Sequence, residues 1–356
     1  MLYKKLGKTN LDISSISLGT MTFGEQTSEN ESFKIMDFAF ENGINFFDTA
    51  EMYPVYPKKE TSGLSEEIIG NWMIKKKNRD KILIGTKVVS SHPKGIGATK
   101  LSWIRGGGNN LKYDKNNLRK AVDNSLKRLK TDYIDLYQLH WPERNIPIFG
   151  KLDFEYDPSD INWTPIEEVI NNLNELVKIG KIKYYGVSNE SPWGISSFLN
   201  IAKNNSLDGP ITIQNGYNLI NRVFDNSHAE ISIRENCGLL AYSPLAAGRL
   251  TGKYLNKRRP SESRFNLWPG RFSRHNTKRG EIAISKYIKL AKKYDIEPNL
   301  FAHAFVLSRP FVLSSIFGIT TLNQLKDNIK SIDITLTAEI LEEIKKIHQL
   351  DPNPCV

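Results

Sequence analysis

The chain has 356 residues, of which 39% are hydrophobic and 25% charged, so it can bury a sizeable core and wholesale disorder is excluded. Its formal net charge of +10 favours anionic partners. The basic residues alternate with Asp and Glu and form no long basic arm, however, so nucleic-acid binding is not expected. The two cysteines, Cys237 and Cys355, form no CxxC or Cys/His cluster, which argues against a disulfide framework and a metal site.

The N-terminal residues and the lengths of the apolar runs indicate where in the cell the protein is expected. Residues 1–10 are polar and basic and lack the apolar segment of a signal peptide. No uninterrupted apolar run approaches the ~18 residues that a membrane helix needs. We therefore expect a cytoplasmic protein with no membrane partner. No coiled-coil heptad or exposed apolar stripe is evident, and the oligomeric state stays open.

Apolar residues and turn signals, taken in chain order, predict alternating strands and helices. Residues 2–11 predict a short hairpin with its turn at 7–10. Strands are predicted at 13–18, 44–47, 81–86, 133–139, 181–187, 211–214, 238–242 and 313–316. Helices are predicted at 28–42, 64–77, 117–130, 165–179, 192–202, 224–236, 281–294, 300–307, 322–329 and 337–348.

Strand and helix alternate about eight times, and no change of composition marks a linker. The pattern predicts an α/β fold: a (β/α)8 TIM barrel in a single domain spanning residues 1–356, with an N-terminal β-hairpin cap and an extra C-terminal helix. A doubly wound open sheet is the alternative, but its GxGxxG fingerprint is absent after the first strand. The absence of GxxxxGK[ST] and HExxH argues against P-loop nucleotide hydrolysis and zincin chemistry.

Three long irregular segments are predicted to carry function. Residues 88–116 and 143–163 are predicted as active-site loops, and the basic segment 253–279 as a cofactor-side loop. Disorder is the alternative for the first segment, and an ordinary surface loop for the third. Trp103 and Trp141 are expected to shape the substrate pocket, although packing explains a tryptophan equally well.

Ionisable residues end three consecutive predicted strands. These are Asp48, Lys87 and His140, and Tyr53 lies a few residues beyond Asp48. Because the C-terminal strand ends of a parallel barrel meet on one face, we expect the four side chains to share a site. Each alone has a common structural explanation, such as a helix cap, a snorkelling lysine or loop packing. Their combination indicates a catalytic site.

A tyrosine beside a lysine has a definite chemical use. A tyrosine pKa near 10 is too high for a good acid at neutral pH, and a nearby cation lowers it. Lys87 would therefore activate Tyr53 as a general acid, while Asp48 keeps Lys87 charged in a partly dry pocket. His140 would orient the substrate oxygen by hydrogen bonding. Such a set suits the reduction of a carbonyl by a hydride donor.

The hydride must come from a cofactor, since no side chain supplies one. Groups that suit a nicotinamide ring and its carboxamide end the later strands: Ser188, Asn189, Gln214 and Tyr242. Small and basic residues that suit a pyrophosphate and a 2′-phosphate are Ser243 to Gly248, Lys253, Arg264 and Gly318 to Thr321.

Motifs spread over nearly the whole chain resemble those of the aldo-keto reductase superfamily. They are GINFFDTAEMY at 43–53, GTK at 85–87, DLYQLH at 135–140, GVSN at 186–189, YSPLA at 242–246 and LKDN at 325–328. A second set resembles the bacterial Tas-type branch, which is related to the potassium-channel β-subunits. It comprises GTMTFGEQ at 19–26, AEMYP at 50–54, GNW at 70–72, HWP at 140–142 and AYSP at 241–244.

The resemblance implies a (β/α)8 barrel, NADPH bound in an extended form, and a catalytic tetrad of Asp48, Tyr53, Lys87 and His140. It also implies a set of cofactor-binding residues: Thr20, Met21, Asp48, Ser188, Asn189, Gln214, Tyr242, Ser243, Leu245, Ala246, Lys253, Arg264, Gly318, Thr320, Gln324, Asp327 and Asn328. Three positions depart from the common family pattern: Phe317, Gln324 and Asp327. Gln324 stands where many relatives have an arginine, so one bidentate phosphate partner is missing. The resemblance therefore supports NADPH over NADH less strongly.

The function implied is an NADPH-dependent oxidoreductase that reduces an aldehyde or ketone to an alcohol, with Tyr53 as general acid. The alternative is a slow-turnover NADPH-binding redox sensor or regulatory subunit, as the kinship with channel subunits suggests. An intact tetrad fits both. The sequence does not identify the substrate.

Overall fold

The computed structural model describes residues 1–91, 101–106, 111–270 and 272–356. Within these ranges the strands are β1 (Tyr3–Lys5), β2 (Asp12–Ser14), β3 (Ile16–Gly19), β4 (Phe46–Asp48), β5 (Leu83–Val88), β6 (Ile134–Leu139), β7 (Ile182–Ser188), β8 (Thr212–Gly216), β9 (Gly238–Tyr242) and β10 (Val312–Gly318). The helices are α1 (Glu29–Glu41), α2 (Leu64–Lys76), α3 (Lys115–Leu129), α4 (Ile166–Lys178), α5 (Pro192–Asn204), α6 (Val223–Ser227), α7 (Ala229–Arg234), α8 (Arg264–Leu267), α9 (Lys278–Lys293), α10 (Pro298–Leu307), α11 (Leu322–Asn328) and α12 (Ala338–Leu350).

The strands β3 to β10 form a closed parallel barrel, with each strand paired to the next and β10 paired back to β3. The register at this closing pair matches Ser17 with Ile316 and Gly19 with Gly318. Parallel neighbours need a crossover, and the helices between strands supply it. The predicted (β/α)8 barrel, its hairpin cap and its extra C-terminal helix, α12, are therefore confirmed.

The N-terminal hairpin closes the end of the barrel opposite to the C-terminal strand ends. The strands β1 and β2 pair antiparallel, with Tyr3 opposite Ser14 and Lys5 opposite Asp12. Two buried residues of the hairpin, Leu6 directly after β1 and Ile13 within β2, pack in one cluster with residues inside the barrel: Phe46, Leu136, Leu240 and Ile316. Burial of these apolar side chains supplies the favourable free energy that holds the cap in place.

Packing inside the barrel requires a glycine at position 85, on β5 two residues before Lys87. A Cβ at Gly85 would lie 2.4 Å from Cζ of Phe46, so only a glycine leaves room for this ring inside the barrel. The neighbouring strands can then bring Asp48 and Lys87 to the same mouth.

Two predicted elements are divided in the structure. The strand predicted at 13–18 is two strands, because β2 pairs in the hairpin while β3 enters the barrel. The helix predicted at 224–236 is split into α6 and α7 at His228, whose backbone is non-helical. The ring of His228 lies within hydrogen-bond distance of the Glu190 carbonyl oxygen, at 2.9 Å, and of Ser227 Oγ, at 2.6 Å. Apolar periodicity does not register these contacts.

None of the helices within the described ranges is long and apolar enough to cross a membrane.

Candidate active site

A cavity of about 690 Å³ opens at the C-terminal ends of the barrel strands. Most of the residues that the sequence predicts for the site line it: Thr20, Met21, Asp48, Tyr53, His140, Trp141, Ser188, Asn189, Gln214, Tyr242, Ser243, Leu245, Lys253, Arg264, Gly318, Thr320, Gln324, Asp327 and Asn328. Lys87, Ala246 and Trp103 are not part of its lining. Lys87 and Ala246 are fully buried, and Trp103 packs beside the cavity wall.

Lys87 and Asp48 form a buried ion pair at the ends of adjacent strands. Asp48 is the last residue of β4, and Lys87 precedes the last residue of β5. Lys87 Nζ donates hydrogen bonds to Asp48 Oδ2 and to the Thr49 carbonyl oxygen, both at 2.7 Å. Burial lowers the pKa of Lys87, and the Asp48 carboxylate opposes that shift. Asp48 therefore stabilises the charged form of a lysine that is shielded from water.

Tyr53 lies between Lys87 and His140. Lys87 Nζ is 5.0 Å from the centroid of the Tyr53 ring. The Tyr53 and His140 rings meet edge to face, with centroids 5.7 Å apart. Burial and the nearby Lys87 charge hold the pKa of His140 well below its usual range, so the imidazole is neutral at neutral pH. Its Nδ1 is buried and has no hydrogen-bond partner among the described residues.

Side-chain amides fix the second oxygen of Asp48. Gln214 Nε2 donates to Asp48 Oδ1 at 2.8 Å and also contacts Gln138 Oε1 at 3.1 Å. Gln138 Nε2 donates to the same Asp48 oxygen at 3.4 Å. With Lys87 on one oxygen and two amides on the other, the carboxylate is held in a single orientation. Sequence analysis did not identify Gln138, whose position inside β6 looks like that of any buried strand residue.

A second amide network lies next to His140. Asn189 Nδ2 donates to the His140 carbonyl oxygen at 2.8 Å and to Ser188 Oγ at 3.1 Å. Ser188 Oγ donates to the Gln214 carbonyl oxygen at 2.7 Å. The Tyr242 hydroxyl donates to Asn189 Oδ1 at 2.7 Å, so the tyrosine ring is tethered in the cavity wall. Four residues predicted for the nicotinamide end are therefore in one connected cluster.

Two cations line the cavity toward Gly318. A Cβ at Gly318 would lie 3.4 Å from Arg264 Nη2, and one at Gly248 would lie 3.2 Å from Lys253 Nζ. Burial lowers the pKa of Arg264, and partial burial together with the Arg264 charge lowers the pKa of Lys253. An anion bound here would oppose both pKa shifts, because its negative charge stabilises the protonated form of each cation. The donor set fits a phosphate.

The far end of the cavity is polar and partly prearranged. Gln324 Oε1 accepts a hydrogen bond from the Thr320 backbone N–H at 2.9 Å. Asn299 Nδ2 donates to Asn328 Oδ1 at 2.8 Å. His303 also lines this end and is buried, and neither ring nitrogen has a hydrogen-bond partner in the described ranges. Sequence reasoning missed Asn299 and His303 because they project from α10, not from a strand end.

The two tryptophans predicted for substrate binding occupy different positions. Trp141 lines the cavity, where its ring is 4.6 Å from that of His140, and its Nε1 donates to the Ser90 carbonyl oxygen at 2.9 Å. Trp103 instead packs against the apolar cluster to which Trp141 belongs. Residues 92–100 and 107–110 of the predicted 88–116 loop lie outside the described residues.

A buried ion pair attaches residues 101–106 to the Asp48–Tyr53 segment. Arg105 Nη1 donates to Glu51 Oε1, and both side chains are 2% exposed. The Val89 backbone N–H also donates to this oxygen, at 2.8 Å, and Arg105 Nη2 donates to the Val89 carbonyl oxygen at 3.0 Å. Glu51 belongs to the GINFFDTAEMY motif at 43–53, but no sequence pattern indicates that Arg105 is its partner.

The family model described as Aldo/keto reductase family matches residues 15–349. Protein tas of Escherichia coli (strain K12) is 41% identical over 357 residues, covering 99% of each chain. Uncharacterized oxidoreductase YrpG of Bacillus subtilis (strain 168) is 32% identical, over 98% of this chain and 96% of its own. The probable voltage-gated potassium channel subunit beta of Oryza sativa subsp. japonica is 30% identical, over 99% of this chain and 98% of its own.

Proposed function

The chain belongs to the aldo/keto reductase family, in its Tas-type branch, and is therefore an oxidoreductase; we propose that it reduces aldehydes or ketones to alcohols with NADPH. One observation carries the proposal. Lys87 is fully buried, paired to Asp48 at 2.7 Å and placed 5.0 Å from the Tyr53 ring, and both of these partners line a cavity that cations and amides also line.

The residues present fit the cofactor. Asn189, Gln214 and Tyr242 would hold the nicotinamide end, and Lys253 and Arg264 would hold its phosphates. The unpartnered nitrogens of His303 and the lowered pKa values of Lys253 and Arg264 support an additional polar ligand there. When bound, NADPH supplies the hydride. The choice of NADPH over NADH rests on the two cations Lys253 and Arg264.

The side chains of the tetrad divide the remaining work. As the carbonyl carbon accepts the hydride, its π pair moves to oxygen, and Tyr53 gives that oxygen its proton. Lys87 stabilises the resulting phenolate, which solvent reprotonates. The neutral His140 positions the carbonyl oxygen. Asp48 holds Lys87 charged and in place.

The direct test measures NADPH oxidation with a panel of aldehydes and ketones, and the same assay with NADH in place of NADPH is the control. The Kd values of NADPH and NADH are measured alongside. We expect turnover with some carbonyls and tighter binding of NADPH than of NADH. Tight NADPH binding without turnover on any carbonyl would contradict the reductase function.

The second candidate, a slow-turnover cofactor-binding sensor, is favoured by the relatives named as potassium channel subunit beta. Under that function, NADPH would remain bound through purification and would be oxidised only slowly. The rate of a single turnover, measured after mixing the bound complex with aldehyde, separates the two proposals.

A further inference from the structure

Arg274 is a cation of the cavity wall to which the proposed cofactor site assigns no role. It lies in a short turn, at 273–275, between α8 and α9. Its guanidinium carbon is 5.2 Å from the centroid of the Phe149 ring and 5.8 Å from that of Tyr242. Lys253 and Arg264, in contrast, lie beside Gly248 and Gly318. Arg274 therefore belongs to the nicotinamide end of the cavity.

The protein holds this arginine in place. Arg274 Nε donates to His275 Nε2 at 3.3 Å, and His275 is buried. Burial and three nearby arginines, first among them Arg274, keep the pKa of His275 well below its usual range, so its ring remains a neutral acceptor. The backbone of Gly150 approaches Arg274 so closely that an added Cβ would lie 3.0 Å from Arg274 Cβ.

Within the described ranges, the terminal nitrogens of Arg274 neither form an ion pair nor donate a hydrogen bond to another residue. The contacts with Phe149 and Tyr242 are to ring faces, within the ~6 Å of a cation–π interaction. They leave the edge of the guanidinium available. Two parallel N–H groups on that edge match the two oxygens of a carboxylate.

A chain of ring contacts links Arg274 to the reacting centre. The Trp141 ring lies 4.6 Å from His140 and 6.5 Å from Phe149, which in turn contacts Arg274. A substrate whose carbonyl oxygen meets Tyr53 and His140 would extend along these aromatic rings toward the guanidinium.

We propose that Arg274 binds a carboxylate of the substrate, so that the preferred substrates are aldehydes that carry a carboxylate at a distance from the carbonyl group. This inference rests on the proposed reductase function. A pyrophosphate of the cofactor has related anionic chemistry, and the experiment separates the two sources.

The kinetic test compares 4-carboxybenzaldehyde with 4-carbamoylbenzaldehyde, a neutral analogue of nearly the same shape. For Arg274→Met we expect the ratio of kcat/KM values, carboxylate over amide, to fall about tenfold to a hundredfold. Arg274→Lys should retain part of the preference, because it keeps the charge without the planar fork. Arg234→Met removes an exposed arginine of α7 and should leave the ratio as in the wild type.

An unchanged ratio in Arg274→Met would overturn the inference. If the Kd of NADPH also rises while the ratio is unchanged, Arg274 belongs to the cofactor site instead. Arg274→Gln is the second variant if Arg274→Met does not fold, and circular dichroism of each variant checks folding.

A binding measurement keeps the inference separate from the proposed function. Isothermal titration of the wild-type protein with benzoate and benzamide requires no turnover. We expect benzoate to bind more tightly, and Arg274→Met to lose the difference. If this holds while no aldehyde is reduced, the reductase proposal fails and the carboxylate site stands. Equal affinities for benzoate and benzamide in the wild type would overturn the carboxylate site.

Discussion

The ammonium group of Lys87 lies 5.0 Å from the centre of the Tyr53 ring and is paired with the Asp48 carboxylate at 2.7 Å. This arrangement gives the tyrosine a cationic neighbour that water does not screen, since Lys87 has no exposed surface. The proposed acid chemistry of Tyr53 depends on this relationship.

Tyr53→Phe removes the proposed proton donor and keeps the ring that packs against His140. We expect kcat to fall about 10²- to 10⁴-fold, the usual contribution of a general acid. The Kd of NADPH should change little, because the hydroxyl is not assigned to the cofactor. Steady-state kinetics and fluorescence titration with NADPH measure the two quantities. Turnover near that of the wild type would exclude Tyr53 as the acid.

Asp48→Asn leaves Lys87 buried without a counter-charge. We expect a loss of about 3–5 kcal/mol in the free energy of unfolding, measured with urea, together with a large loss of activity. The control is Glu342→Gln, which breaks an exposed pair with Lys345 and should cost less than about 0.5 kcal/mol. Similar losses in both variants would show that the buried pair contributes no more than a surface one.

Arg105→Met leaves the buried carboxylate of Glu51 unpaired, only two residues from Tyr53 in the chain. We expect lower thermal stability and a fall in kcat, since the segment that carries Tyr53 loses a contact that fixes its position. Arg119→Met, which removes an exposed arginine paired with Asp123, is the matched control and should change neither. Wild-type kcat in Arg105→Met would mean that the ion pair is dispensable for positioning Tyr53.

His303 predicts a pH dependence of stability. Burial lowers its pKa to about 3, below the ~6.5 of an unfolded chain. Between these values the unfolded state binds a proton that the folded state does not, so this contribution to stability is full above pH ~6.5 and is lost as pH falls. From pH 7 to 5 the loss is about 2 kcal/mol.

The test of this dependence is His303→Leu, whose free energy of unfolding should fall by about 2 kcal/mol less than that of the wild type over the same interval. Urea titrations at pH 7 and pH 5 measure both proteins. Parallel pH profiles would show that the pKa of His303 in the folded protein is not lowered from that of the unfolded chain.

The barrel was predictable from the sequence because each strand is a short apolar run and each helix has a 3.6-residue period. The shared location of Asp48, Lys87 and His140 followed from the same pattern, since an ionisable residue at the C-terminal end of a barrel strand lies at the barrel mouth. The cavity lining agrees with most of the predicted cofactor residues, whose roles remain predictions.

Other features were beyond the reach of sequence patterns because they depend on contacts between distant segments. The Glu51–Arg105 pair joins residues 54 positions apart, and neither residue looks unusual on its own. Arg274 reads as one more charge in a basic loop until the structure places it over Phe149 and Tyr242. At the break between α6 and α7, the ring of His228 contacts Ser227 and the distant Glu190, and a helical apolar period carries no trace of such contacts.

The pairing of β3 with β10 has a consequence for synthesis. Ser17 and Ser314, which are hydrogen-bonded across this pair, lie 297 residues apart, so the ribosome must release almost the whole chain before the barrel can close. The proposed cofactor site includes residues just beyond β3 and at the end of β10. A nascent chain therefore cannot assemble that site before β10 has emerged, and until then β3 and β9 remain unpaired edges of an open sheet.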